Sequence, residues 1–413
     1  MTCTPRLDVL SNKIRLLHAF EELPVVYCGF AINVGARDEH DDEHGIAHFI
    51  EHLLFKGTRR RSNLQIIKRL EDVGGELNAY TTKEETFVYA TVPRKYAERA
   101  IELLADIVLD STFPQDELVK EREVVFEEIE MYNDSPSELI FDDFEDIVFN
   151  SSSLGHNILG SKKSLSKIDS DSCHRFVHRC YTADNMLFFM FGGIPEDHFL
   201  RLAHKHIGIN DFRRGVSQRH TPPPSQPVST VCRKKTNQTH CLIGNTAISM
   251  AATDSLTLTL LNNILGGSSL TSRLNLAIRE RNGWVYAIDS SLNLYSDTGV
   301  WAIYFGCSES NYLKCTKLIY NELDKLICKP LSTCQLSLSK QQIYGQILIN
   351  SQNKEYYILS AAKIALHLNE ETSLDRTFER ISLIEPVDIQ NMAAKIFDTK
   401  RLSTLKYEQY SKQ

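Results

Sequence analysis

At 413 residues the chain is too long for one ordinary hydrophobic core and long enough for two domains of about 200 residues each. It is 42% hydrophobic and 24% charged with a net charge of −7, a globular composition that argues against extended disorder and against nucleic acid as a partner. No run of about 18 apolar residues occurs, so no membrane association is expected.

The first 17 residues, MTCTPRLDVLSNKIRLL, break their apolar content with Arg6, Asp8, Lys13 and Arg15 and so lack the apolar stretch of a secretory signal. A cytoplasmic protein is the expectation, with an organelle or the periplasm as lesser alternatives. The ten cysteines include no C-x-x-C pair and are read as reduced thiols, mostly core filler.

Residues 25–36, VVYCGFAINVGA, read as a buried strand. Residues 44–57, HGIAHFIEHLLFKG, contain His48, Glu51 and His52 in the order H-x-x-E-H. On a helix advancing 100° per residue the two histidines fall about 40° apart, so both imidazoles can converge on one ion. Glu51 falls about 60° to the other side, where it can reach a metal-bound water without ligating. Ile46, Ala47, Phe49, Ile50, Leu53, Leu54 and Phe55 fill the rest of the wheel, giving a buried helix with one polar stripe. The following run Arg59-Arg60-Arg61 reads as a solvated loop.

Ser62 or Asn63 can cap a helix that runs through Glu71 and stops at Gly74-Gly75, and residues 76–92 read as a hairpin. A catalytic zinc site takes three protein ligands, so one more must come from elsewhere. The helix predicted over 116–131, DELVKEREVVFEEIEM, offers Glu121 and Glu128, which lie about 20° apart. Leu118, Val124, Val125, Ile129 and Met131 flank them, so both carboxylates are expected to face the core, whereas Glu123, Glu127 and Glu130 face solvent. Buried carboxylates need a cation or a donor; zinc, or a histidine bound to zinc, would serve. A further pair, His174 and His178, has no glutamate between and reads as structural or solvent-facing.

Residues 213–227, RRGVSQRHTPPPSQP, read as a linker, since three consecutive prolines support neither a helix nor a central strand. The expected domains are therefore 1–212 and 228–413. The second opens with a strand at 240–249, continues through TLTLLNNILGG and a helix SRLNLAIRER (272–281), and returns to strands over 285–306. The halves look like a duplicated unit, giving an α+β protein of two homologous α/β sandwich halves, each an antiparallel-rich sheet packed with helices.

H-x-x-E-H followed about 76 residues later by a glutamate in an E-E-I context resembles the inverzincin peptidases of the pitrilysin, insulinase and mitochondrial processing peptidase superfamily. The stretches GIAHFIEHLLFKGT, GGELNAYTTKEET, EREVVFEEIEMYNDSP and GHNILG carry that likeness, and the short, single-unit, processing-peptidase-like members are the most similar in length. The resemblance implies one zinc per chain on His48, His52 and Glu128, with Glu121 orienting the site from behind the ligands. It implies a zinc metalloendopeptidase for peptides or unfolded polypeptide, in which Glu51 is the general base and the zinc-bound water the nucleophile. Arg279 and Tyr286, seven apart in LTSRLNLAIRERNGWVYAIDSS, resemble the family's pair that holds substrate and donates to the oxyanion. Asn78 and Ala79 resemble the edge strand that captures peptide by strand addition. Two such units enclose a chamber in the family, so a homodimer is expected, or a heterodimer with a related chain. The alternative function is a non-catalytic or heterodimeric assembly subunit of a processing-peptidase-like complex.

Overall fold

The computed structural model describes residues 4–150, 152–210, 212–215, 218–224 and 226–409. Cys3 and positions 216, 217 and 225 of the expected linker lie outside the described residues. Two sheets organise the chain. The first holds β1 (Arg6–Val9), β2 (Arg15–Phe20), β3 (Val25–Ile32), β4 (Glu76–Thr81), β5 (Thr86–Pro93) and β6 (Met186–Gly192), in the order β1-β2-β6-β3-β5-β4. The second holds β7 (Ser229–Lys234), β8 (Thr239–Ala247), β9 (Val285–Leu294), β10 (Gly299–Cys307) and β11 (Ser403–Gln409), in the order β7-β11-β8-β10-β9.

The duplication expected from the sequence is visible strand by strand. β2 pairs parallel with β6 as β7 does with β11, and every following neighbour pair in both sheets is antiparallel. Each sheet ends on an outer strand, β4 in one and β9 in the other, that belongs to a hairpin. The fold is thus the expected α+β pair of homologous halves.

Both sheets are covered on both faces, which explains why their central strands read as continuous apolar runs and not as alternating ones. In β6, MLFFMFG, Met186, Phe188 and Met190 join the core beneath the helices Ile46–Leu54 and Ala97–Leu109. Leu187, Phe189 and Phe191 face the other way, onto the helix Lys354–Leu368. That helix lays Ala361, Ala362 and Ala365 against the sheet, and small side chains there allow close approach. Asn353 caps its start by accepting from the Tyr356 amide, and Asn369, at φ 53°, ends it. In the second sheet Trp301, Ile303 and Phe305 of β10 enter the main core, while Val300, Ala302 and Tyr304 meet Ile140, Phe144 and Val148 of the helix Pro136–Val148.

The packing therefore differs from a single boundary at 213–227. One compact unit comprises residues 1–129, 156–219 and 350–374; the other comprises 130–155, 220–349 and 375–413. The physical reason is symmetrical: the second face of each sheet is covered by a helix drawn from the other half of the sequence. The described residues of the expected linker are neither helix nor strand, as its prolines dictate, yet Arg219 is firmly anchored in the first unit. Its guanidinium donates to both Asp38 carboxylate oxygens, at 3.0 and 2.8 Å, and to Asn33 Oδ1 at 2.8 Å.

The hairpin and the helix Asn63–Glu71, with Ser62 at its N-cap, form where the sequence places them. The segment expected as an α-helix over 272–281 is instead π-wound over Asn275–Glu280. The nine described cysteines are free thiols, six of them buried. No described helix is long and apolar enough to cross a membrane.

Candidate metal centre

The helix Ile46–Leu54 is the centre of the site, and its burial matches its wheel: Ile46, Ala47, His48, Phe49, Ile50, Leu53 and Leu54 are all buried. Its N-terminus has no side-chain cap from Gly45. Glu39 takes that role from a distance, accepting the Gly45 and Ala47 amides at 2.9 Å each. Gly45 sits at φ 94°, and a Cβ there would meet the Leu159 carbonyl oxygen at 2.7 Å, so glycine is needed on two counts.

His48 and His52 project one turn apart with ring centroids 4.7 Å apart, and Glu128 reaches them from the helix Gln115–Asn133. His48 Nε2 lies 3.8 Å from Glu128 Oε1, and His52 Nε2 lies 3.6 Å from Glu128 Oε2. One donor atom from each of the three falls within 4.8 Å of the others, and no other such group of three or more His, Cys, Asp or Glu occurs among the described residues. Around a tetrahedral zinc with bonds of about 2.0–2.1 Å the donors stand about 3.4 Å apart, so this set fits the ion with little movement. Burial, with the neighbouring His52, pulls the His48 imidazole down to about 3, which keeps it neutral with a lone pair to offer.

Beyond this group, Glu121 Oε2 lies 3.3 Å from His52 Nδ1 while its Oε1 lies 2.6 Å from Lys56 Nζ. Lys56 was not singled out in the sequence, although it stands four residues past His52, the spacing that puts two side chains on one helical face. The helix carrying Glu121 and Glu128 corrects one expectation. Leu118 and Val125 are buried, but Val124 and Met131 are 49% and 70% exposed. The buried stripe is centred on Val125, to one side of Glu121, leaving Val124 and Met131 beyond Glu128 on the open flank. Glu128 is accordingly half-buried, and Glu123, Glu127 and Glu130 are exposed as expected.

Glu51 is largely buried, and that burial pushes its carboxyl upward against the hydrogen bond from Thr81 and the charge of His52; Glu128 pushes the same way as burial. Among the described residues its Oε2 has no hydrogen-bond partner, nor has His48 Nδ1. Thr81 belongs to β4, so the outer strand of the sheet touches Glu51. Asn78 and Ala79 lie on the same strand, opposite Tyr89 and Val88, and the free edge of β4 carries no partner strand among the described residues. Arg279 and Tyr286 belong to the other unit. Arg279 is half-buried in the π-wound segment, and Tyr286, on the outer strand β9, is 83% exposed. His174 and His178 are exposed and belong to no group of three such donors among the described residues; His174 meets Phe113 edge to face, and Arg213 lies 3.0 Å from His178 Nδ1.

Comparison with known proteins gives the family and the fold. Residues 17–162 match the domain described as insulinase (peptidase family M16), and residues 167–343 match the domain described as peptidase M16 inactive domain. The chain is 31% identical to the uncharacterized zinc protease YmxG of Bacillus subtilis over 372 residues, covering 90% of each chain. It is 30% identical to an uncharacterized zinc protease of Rickettsia felis, again over 90% of each chain. In structure it is similar to a peptidase M16 inactive domain protein from Pseudomonas fluorescens, with TM-score 0.91, 17% identity and 99% of each chain covered. A protease from Helicobacter pylori aligns with TM-score 0.90 and 18% identity over 99% of this chain and 100% of that one.

Proposed function

The chain belongs to the insulinase family of peptidases, family M16, and on that premise we propose that it is a zinc-dependent endopeptidase acting on peptides or unfolded polypeptide segments. The observation that carries the reading is the convergence of His48, His52 and Glu128 beside a carboxyl group, Glu51, that has an oxygen to spare. Zinc, when bound by those three residues, supplies a Lewis acid that polarises water and the scissile carbonyl. Glu51 takes the proton from the attacking water and returns it to the leaving amine. Glu121 orients His52 through Nδ1.

β4 is the segment proposed to hold substrate, by adding the peptide to its free edge near Asn78 and Ala79. Arg279 and Tyr286 are assigned the holding of substrate and donation to the oxyanion, from their match to the family pattern. Retention of all three donors and of Glu51 favours this reading over a non-catalytic assembly subunit. A dimer, with a second copy or a related chain, is part of the proposal and is read by sedimentation against the 47.1 kDa chain.

The test is to incubate the zinc-loaded protein with a pool of unstructured peptides and identify the products. Internal cuts, abolished by a zinc chelator and restored by added zinc, are expected. Release of terminal residues alone, or cutting that survives chelation, would contradict the proposal.

A further inference from the structure

We propose that Lys56 is a positioning residue of the metal centre, acting through Glu121 on His52; this rests on the reading of His48, His52 and Glu128 as zinc ligands. Lys56 follows the last turn of the helix Ile46–Leu54, where its amide donates to the Leu53 carbonyl at 3.0 Å. Its ammonium holds Glu121 Oε1 at 2.6 Å, a contact in which the side chains are 22% and 11% exposed. The other carboxylate oxygen faces His52 Nδ1 at 3.3 Å. Among the described residues, Glu121 has no other ion-pair partner.

A carboxylate gripped at one oxygen cannot turn its plane freely. With Oε1 fixed by Lys56, Oε2 stays in place as the acceptor for Nδ1, and that hydrogen bond decides which nitrogen of His52 carries the proton. The lone pair is then left on Nε2, the atom that lies 3.6 Å from Glu128. Without Lys56 the buried Glu121 would keep one partner in place of two and would be free to reorient, and His52 would lose both its fixed tautomer and its fixed ring plane. The role differs from a surface ion pair, which contributes little, because this pair is short and largely withdrawn from water.

A double-mutant cycle on the full chain tests the role. Zinc affinity is measured by competition with a chromophoric chelator for wild type, Lys56→Met, Glu121→Gln and the double variant, with Lys56→Arg as the conservative change. Thermal midpoints of the zinc-free proteins are recorded alongside. Lys56→Met is expected to weaken zinc binding about tenfold or more, in the range seen when groups that orient metal ligands are removed. The double variant should bind no more weakly than Glu121→Gln alone, and Lys56→Arg should retain most of the affinity. Unchanged or tighter zinc binding in Lys56→Met, a change confined to the thermal midpoint, or losses that multiply in the double variant would overturn the role. If Lys56→Met does not fold, Lys56→Gln takes its place in the cycle. A wild type that binds no zinc overturns the ligand set itself, and this role with it.

Discussion

His156 Nε2 lies 2.9 Å from Glu39 Oε2, and the same carboxyl group takes the amides of Gly45 and Ala47 at the start of the metal helix. His156 stacks flat on His44 at 4.0 Å between centroids, and its carbonyl accepts from Lys83 in the β4–β5 turn at 2.5 Å. One buried acid thus ties the helix that bears His48 to the turn that follows the outer strand. Glu39→Ala leaves two helix amides without an acceptor and is expected to cost about 2 kcal/mol or more. Calorimetry should show the melting temperature falling by about 4–8 °C. A change below 1 °C would show that water replaces the cap without loss.

A second buried acid gives a pH dependence. Glu85 accepts from Lys363 Nζ at 2.5 Å and lies 3.0 Å from His367 Nε2, with Arg219 and Tyr80 also facing it. Burial acts to raise its carboxyl, but His367 and Lys363 outweigh burial and hold it down to about 2. A depressed carboxylate stabilises the fold above its unfolded value, near 4.5, and that stability is lost as pH falls toward 2. The contribution is roughly 3 kcal/mol. Urea titrations of wild type and Glu85→Gln should therefore differ most at pH 6 and converge toward pH 2; a gap that stays constant with pH would contradict this.

The proposed capture on the edge of β4 would read main chain more than side chains. A peptide substrate methylated on alternate backbone nitrogens should lose cleavage by at least about tenfold, because each methyl removes a donor to the strand. Replacing its side chains conservatively should change the rate much less. The opposite pattern would place recognition in side-chain pockets.

Tyr286 is so exposed that its loss should leave the fold intact. Removing one oxyanion donor costs roughly 10²–10³-fold in rate. Tyr286→Phe is accordingly expected to lower kcat by about that factor, with zinc content and melting temperature unchanged. A variant with wild-type kcat would remove Tyr286 from the reaction.

The helix bearing His48 was legible in the sequence because its pattern is local: the spacing within a single helical turn places His48, Glu51 and His52, and apolar neighbours show that the stripe is buried. Glu128 needed the likeness to a family, since helical spacing left Glu121 an equal candidate. The stripe on their helix was misjudged at Val124 and Met131 because a wheel gives relative angles and not where the neighbouring elements lie. Lys56 and Glu39 escaped notice for a related reason: Lys56 pairs with Glu121 on another helix, and Glu39 caps amides six and eight residues on and meets His156, 117 residues away, none of which periodicity reveals. The exchange of the helices Pro136–Val148 and Lys354–Leu368 between halves was equally hidden, since each reads as an ordinary helix until the face it covers is known.

The proposal assigns proton transfer to Glu51 and the zinc to His48, His52 and Glu128. The most direct measurement compares zinc content and peptide turnover of wild type and Glu51→Gln, a change that preserves size and leaves the three donors alone. About one zinc per chain in both proteins, with turnover reduced about 10²-fold or more in the variant, is the predicted result. A variant that loses its zinc along with its activity would make Glu51 a ligand, and one that keeps wild-type turnover would remove it from the reaction.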